Sequence, residues 1–202
     1  MRHESLLTIL ALLAGPLGAC GQDGAGAETG EATGGVAARR TAPTHEEVTY
    51  SMRLTSEAFE DGGSIPQRHT CEGEDVSPAL SWEGAPEGTA SFALVVHDPD
   101  APRGVFCHWL LYNIPLDVFN LPEGASTGLR YLQGRNDYGN VGFGAPCPPA
   151  GSTHRYFFRL YALDQNLNIQ QGATRAQVID RMHDHILENT EMLTYYGRPE
   201  GS

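Results

Sequence analysis

The chain has 202 residues, 40 % of them hydrophobic, and a formal net charge of −12. All 13 basic residues are arginine, so no lysine is available for a Schiff base, a P-loop or general-base chemistry. An acidic chain is also a poor partner for nucleic acid or for an anionic lipid surface.

Met1-Arg2-His3-Glu4 precedes an apolar run from Leu6 to Leu13, too short to span a bilayer but suited to the hydrophobic stretch of a signal peptide. The run leads to Leu17-Gly18-Ala19-Cys20, an order that resembles the bacterial lipobox. That resemblance implies removal of residues 1–19 and acylation of Cys20. Residues 20–47 are rich in Gly, Ala, Thr and Glu and bury too little apolar surface to offset their ordering entropy, which predicts a flexible tether. Gly21, not an aspartate, follows the cysteine. By resemblance to lipoprotein sorting, this implies an extracytoplasmic envelope protein joined to the membrane by its acylated N-terminus, at the outer membrane if the cell has one.

The remaining stretch, 48–198, is long enough for one domain with a sizeable core. Strands are predicted over Val48–Thr55, Ser91–His97, Phe106–Ile114 and His154–Leu163. The second and fourth are nearly continuous apolar or aromatic runs, as expected for strands buried on both faces or in a sandwich core. Turn-rich stretches separate them. A helix is predicted from Ala173 to Tyr196: Thr174 and Gln177 form a capping box, Val178, Ile179, Met182, Ile186 and Leu187 a stripe, and Gly197 with Pro199 a stop. The fold expected is mainly β, a sandwich with a C-terminal helix packed at its end. With Cys20 acylated, Cys71, Cys107 and Cys147 remain, so at most one internal pair forms. Cys107 lies in an apolar stretch and reads as a small buried residue, which makes Cys71–Cys147 the favoured pairing if one forms.

Three places could carry chemistry. Asp98-Pro99-Asp100-Ala101-Pro102 follows a strand, and its prolines hold two acceptors in fixed positions, or else its aspartates simply bond their own loop. His108 precedes Trp109 in an apolar strand; alternation sets it with Leu110 and Tyr112, opposite Cys107, Trp109 and Leu111. The Gly/Pro-rich segment Gly142–Gly151 leads into His154, which shares a face with Tyr156, Phe158 and Leu160 and should point toward the mouth of the core. Gly124-Ala125-Ser126-Thr127-Gly128 matches the G-x-S-x-G pattern of hydrolases but has neither a strand before it nor a helix after it, and is read as a loop.

In this order, Asp-Pro-Asp-Ala-Pro, His-Trp with Asn113-Ile114-Pro115, and the Gly/Pro loop with His154-Arg155-Tyr156 resemble the phosphatidylethanolamine-binding protein family. Thr70 to Pro78 with Trp82 agrees, and Tyr196-Gly197-Arg198 fits the bacterial and archaeal branch. The resemblance spans about Thr49 to Arg198. It implies a Greek-key β-sandwich with one small surface pocket for a phosphate- or carboxylate-like anion or a phospholipid headgroup. By motif, Asp98, Asp100, His108 and His154 carry over, with Ala101, Pro102, Gly144, Pro146 and Tyr156 as wall. Ala145 stands where glycine is common, and Cys107 where a simple apolar residue is usual.

Imidazoles near neutrality take up protons, and a neighbouring carboxylate favours the charged form, so both histidines are expected to offer charged N–H groups to an anion. The resemblance implies binding without catalysis, cofactor or metal. Two other readings use the same chain: a metal-dependent hydrolase built on His108, His154 and Asp98, and an interaction protein such as an envelope protease inhibitor.

Overall fold

The computed structural model describes residues 52–125 and 130–201. The leader 1–19, the tether 20–47 with Cys20, the first residues of the domain, and Ser126 to Gly128 of the G-x-S-x-G match lie outside the described residues. Among the described residues, eight strands build two antiparallel sheets. The smaller contains β1 (Arg53–Ser56), β2 (Leu80–Glu83) and β5 (Asn120–Leu121), in that order. The larger runs β6 (Leu132–Gln133), β4 (Phe106–Pro115), β3 (Ser91–Asp98), β7 (Thr153–Leu163) and β8 (Ile186–Gly197). Taken as β7-β3-β4-β6, the large sheet has the Greek-key order: the chain leaves β3 through β4 and β6 and returns as β7 beside β3.

β3 is buried almost throughout because both faces of the large sheet are covered. One face meets the small sheet, where Trp82 and Leu54 pack with Phe92, Leu94, Trp109, Phe158 and Leu160. The other face, with Val95, Cys107, Leu110 and Tyr112, is covered by Val178 and Met182 of the helix α1 (Arg175–Met182).

The sequence reading needs two corrections here. The helix predicted to Tyr196 ends at Met182; after a 3-10 turn the chain forms β8, paired with β7 from His154↔Tyr196 to Ala162↔Glu188. Its capping box is as expected, with Thr174 accepting from the Gln177 amide and Gln177 from the Thr174 amide. The stretch Met192, Thr194, Tyr196 is buried at every second residue, a strand pattern that the earlier i, i+4 stripe hides when it is extended through Ile186 and Leu187. Those two side chains are exposed. The second correction is in β4. Val96 pairs with Trp109 but His97 with Cys107, so His108 is the extra residue of a β-bulge. The bulge resets the alternation, and Cys107 sits in the same core as Leu110 and Tyr112 rather than with Trp109.

Candidate functional site

At one end of the large sheet, the last residue of β3, the bulged start of β4 and the start of β7 meet around a cavity of about 270 Å³. Asp98, Ala101, Pro102, His108 and His154 line it, as the motifs suggested. So do Cys147, Pro148 and Pro149 of the Gly/Pro-rich segment, together with Phe106, Tyr138 and Arg198, which the motifs did not mark as site residues. Arg198 lay within a quoted motif, one residue beyond β8; Tyr138 stands in a loop with no pattern of its own.

Asp98 is only 3 % exposed and uses both carboxylate oxygens. Its Oδ1 accepts from the Asp100 amide at 2.7 Å, closing the loop on itself, and its Oδ2 accepts from His154 Nδ1 at 2.7 Å. The two readings of this loop, a self-bonded turn and a positioned acceptor, are therefore both true of one side chain. His108 Nδ1 donates to the Gly144 carbonyl at 2.8 Å, and the Gly144 amide donates back to the His108 carbonyl at 2.9 Å. With Nδ1 engaged in each ring, Nε2 is the nitrogen that each can offer to a ligand.

Burial lowers the pKa of His108, with the Gly144 carbonyl and the Asp98 charge opposing the shift. The expectation of two imidazolium groups near neutrality is thus corrected for His108: desolvation outweighs its neighbours, and the neutral ring presents an acceptor at Nε2. Rings surround it, with Phe106 at 5.0 Å, Tyr156 at 5.3 Å and Tyr138 at 5.7 Å between centroids.

The other carried-over residues stand behind the lining. Asp100 is clamped to Arg155, which donates to it from Nε at 2.9 Å, from Nη2 at 2.7 Å and from its amide at 3.0 Å; the guanidinium holds the carboxyl at about 2. Asp100 thereby ties the Asp-Pro-Asp loop to β7. Gly144 lets an aromatic ring approach rather than a ligand: a Cβ there would lie 2.6 Å from Tyr138 Cδ2. The Pro146 carbonyl accepts from the Cys71 amide at 3.1 Å. Tyr156 is fully buried against His108 and its phenol is pushed up by burial. Ala145 causes no conflict, since its amide donates to Asp75 Oδ1 and its carbonyl accepts from the Tyr138 hydroxyl. Cys71 and Cys147 form a disulfide, and Cys107 is free and buried. Among the described residues no group of three or more His, Cys, Asp or Glu side chains is arranged to hold a metal ion.

A third histidine, His97 of β3, adds a pH dependence to the fold. Burial lowers its pKa to about 4, helped by the positive charges of Arg175 and Arg159 and opposed by Glu191 and Asp98. In the unfolded chain a histidine titrates near ~6.5. Between these values the unfolded state binds more protons, so stability is full above about 6.5 and falls as pH drops toward 4. Denaturant midpoints should decline over that window, and His97→Gln should flatten the decline by about 1–2 kcal/mol after allowance for solvent screening. An unchanged slope in the variant would remove His97 from the account.

Residues 55–197 match the phosphatidylethanolamine-binding protein family, and the chain belongs to that family. It is 46 % identical over 151 residues to a UPF0098 protein of Methanothermobacter thermautotrophicus, covering 73 % of this chain and 99 % of that one. A crystal structure of a phosphatidylethanolamine-binding protein homolog from Chlamydia trachomatis superposes with a TM-score of 0.69 at 38 % identity, covering 74 % of this chain and 99 % of the other. The E. coli protein YbcL, described as a member of the mammalian family, gives 0.69 at 36 % identity, covering 72 % and 98 %.

Proposed function

We propose that the cavity binds a small phosphate-like or phospholipid-headgroup anion without transforming it. The observation that carries this reading is the convergence of Asp98-bound His154, His108 and Arg198 on one small cavity. Arginine and imidazolium N–H groups make charge-assisted bonds to phosphate oxygens, and a neutral His108 Nε2 suits an anion that still carries a proton. The described lining contains no serine, threonine or lysine for the carboxylate–imidazole pair to activate, and Cys147 is in a disulfide.

Calorimetric titration of the full chain with inorganic phosphate and phosphoethanolamine tests the reading. Affinity should rise, with proton uptake, as pH falls from about 8 to about 6, because an anion at Nε2 favours a protonated ring. His154→Ala should weaken binding by about 1.5–3 kcal/mol. The titration is repeated with a chelator and with added zinc. Binding that vanishes with chelator would transfer the site to a metal, and phosphoester hydrolysis lost in His154→Ala would make it an enzyme.

The lipobox-like Leu17-Gly18-Ala19-Cys20 supports a cell-envelope location for this binding, with the domain tethered through an acylated Cys20. A Cys20→Ser chain should be released in soluble form; its retention on membranes would refute the anchor.

A further inference from the structure

We propose that Arg198 is the fixed positive partner of the bound anion, and that the Cys71–Cys147 disulfide holds it in the cavity wall, placing ligand affinity under thiol–disulfide control. The proposal rests on the anion-binding reading above.

Arg198 lines the cavity one residue beyond the end of β8. Its guanidinium is positioned in part by two contacts: Nε donates to Glu72 Oε1 and Nη1 to the Pro148 carbonyl, each at 3.4 Å. Glu72 is the neighbour of Cys71, and Pro148 is the neighbour of Cys147. The disulfide therefore joins the two segments that orient Arg198, across 76 residues of sequence. Tyr196 steadies the same carboxylate by donating its hydroxyl to Glu72 Oε2. Cys147, Pro148 and Pro149 are themselves cavity wall, so the covalent bond and the anion site share a surface. An arginine remains charged at any relevant pH and offers a planar fork that fits phosphate oxygens, but only when the fork is held in place.

Both disulfide cysteines are exposed, so a reductant can reach the bond. Cys107 is fully buried and its thiol is pushed up to about 12, which keeps it out of the exchange. A dithiol supplies the chemistry. Its thiolate attacks one sulfur of the pair, and its second thiol resolves the mixed disulfide. Two electrons and two protons pass to Cys71 and Cys147, and the dithiol leaves as its own disulfide. The Glu72 and Pro148 segments are then joined only by non-covalent contacts such as the Cys71 amide to the Pro146 carbonyl.

The test is phosphate titration of the full chain before and after treatment with dithiothreitol, with thiol counting and circular dichroism on each sample. Reduction should weaken binding about tenfold while secondary structure persists. Arg198→Ala should show a similar loss and no further response to reductant. Arg198→Lys should recover part of the affinity, because charge returns without the fork. The Cys71→Ser/Cys147→Ser chain should bind at the reduced level under both conditions. Equal affinity in oxidised and reduced wild type, or wild-type binding by Arg198→Ala, overturns the proposal. Should reduction unfold the chain, oxidised Arg198→Ala and Glu72→Gln decide, and unchanged affinity in both overturns it. If oxidised wild type binds neither phosphate nor phosphoethanolamine, the anion reading itself falls and takes this one with it.

Discussion

Replacing Asp98 by asparagine should abolish the gain in phosphate affinity at low pH and cost the fold about 2 kcal/mol. The carboxylate accepts two hydrogen bonds in a nearly dry site, one from its own loop and one from His154 Nδ1. An asparagine can keep the first through its carbonyl oxygen. Its NH2 then faces His154 Nδ1, which must become an acceptor, so the neutral ring switches its proton to Nε2. A second proton on that ring would set two donors against each other, and the ring loses the negative charge that balances an imidazolium. Binding should persist near pH 8 but no longer strengthen toward about pH 6, with the proton uptake gone. Calorimetry in buffers of different ionisation enthalpy reads this directly. A variant that still takes up a proton with wild-type affinity would show that His154 acts without its carboxylate.

A Gly73→Ala substitution should destabilise the protein by at least about 3 kcal/mol. The segment from Gln67 to Asp75 is a tight pair of turns in which the Thr70 amide reaches the Gln67 carbonyl, the Gly73 amide the Thr70 carbonyl, and the Glu74 amide the Arg68 carbonyl. A Cβ on residue 73 would stand 2.0 Å from the Gln67 carbonyl oxygen and 2.7 Å from Arg68 Cα. Backbone cannot swing aside as a side-chain tip can, so the turns must open. Cys71 and Glu72 lie inside this segment, and phosphate binding should weaken together with stability. Chemical denaturation of wild type and variant checks the figure. A loss below about 1 kcal/mol would mean that the segment relaxes freely and does not brace the cavity.

Much of the fold was legible because its long strands carry their own pattern. Ser91–His97 and His154–Leu163 are apolar enough to be buried, and β3 and β7 cover them with boundaries shifted by one residue. His154 could be assigned to the inward face because β7 alternates without interruption next to it. The β4 alternation failed at His108, because a bulge depends on how two strands register and leaves no mark on one strand alone. β2 was readable in principle, since Leu80 and Trp82 are buried while Ser81 and Glu83 are exposed. At four residues its pattern is too short to separate from a loop. β8 was misread because the apolar positions of α1 continue in helical step into Ile186 and Leu187, while the pairing that makes it a strand lies on β7.

The sequence by itself determined the family, the mainly β architecture, the helix start at Thr174, and the Asp98, His108 and His154 that meet at the cavity. These follow from local propensity and from motifs that keep their order along the chain. Tertiary structure alone decided that His108 is held neutral by burial, that Asp100 clamps a loop instead of facing the cavity, and that Tyr138 and Arg198 complete the lining. The physical reason is the same in each case. Desolvation, ion pairing and cavity shape depend on what lies a few ångströms away through space, and those neighbours are tens of residues away along the chain.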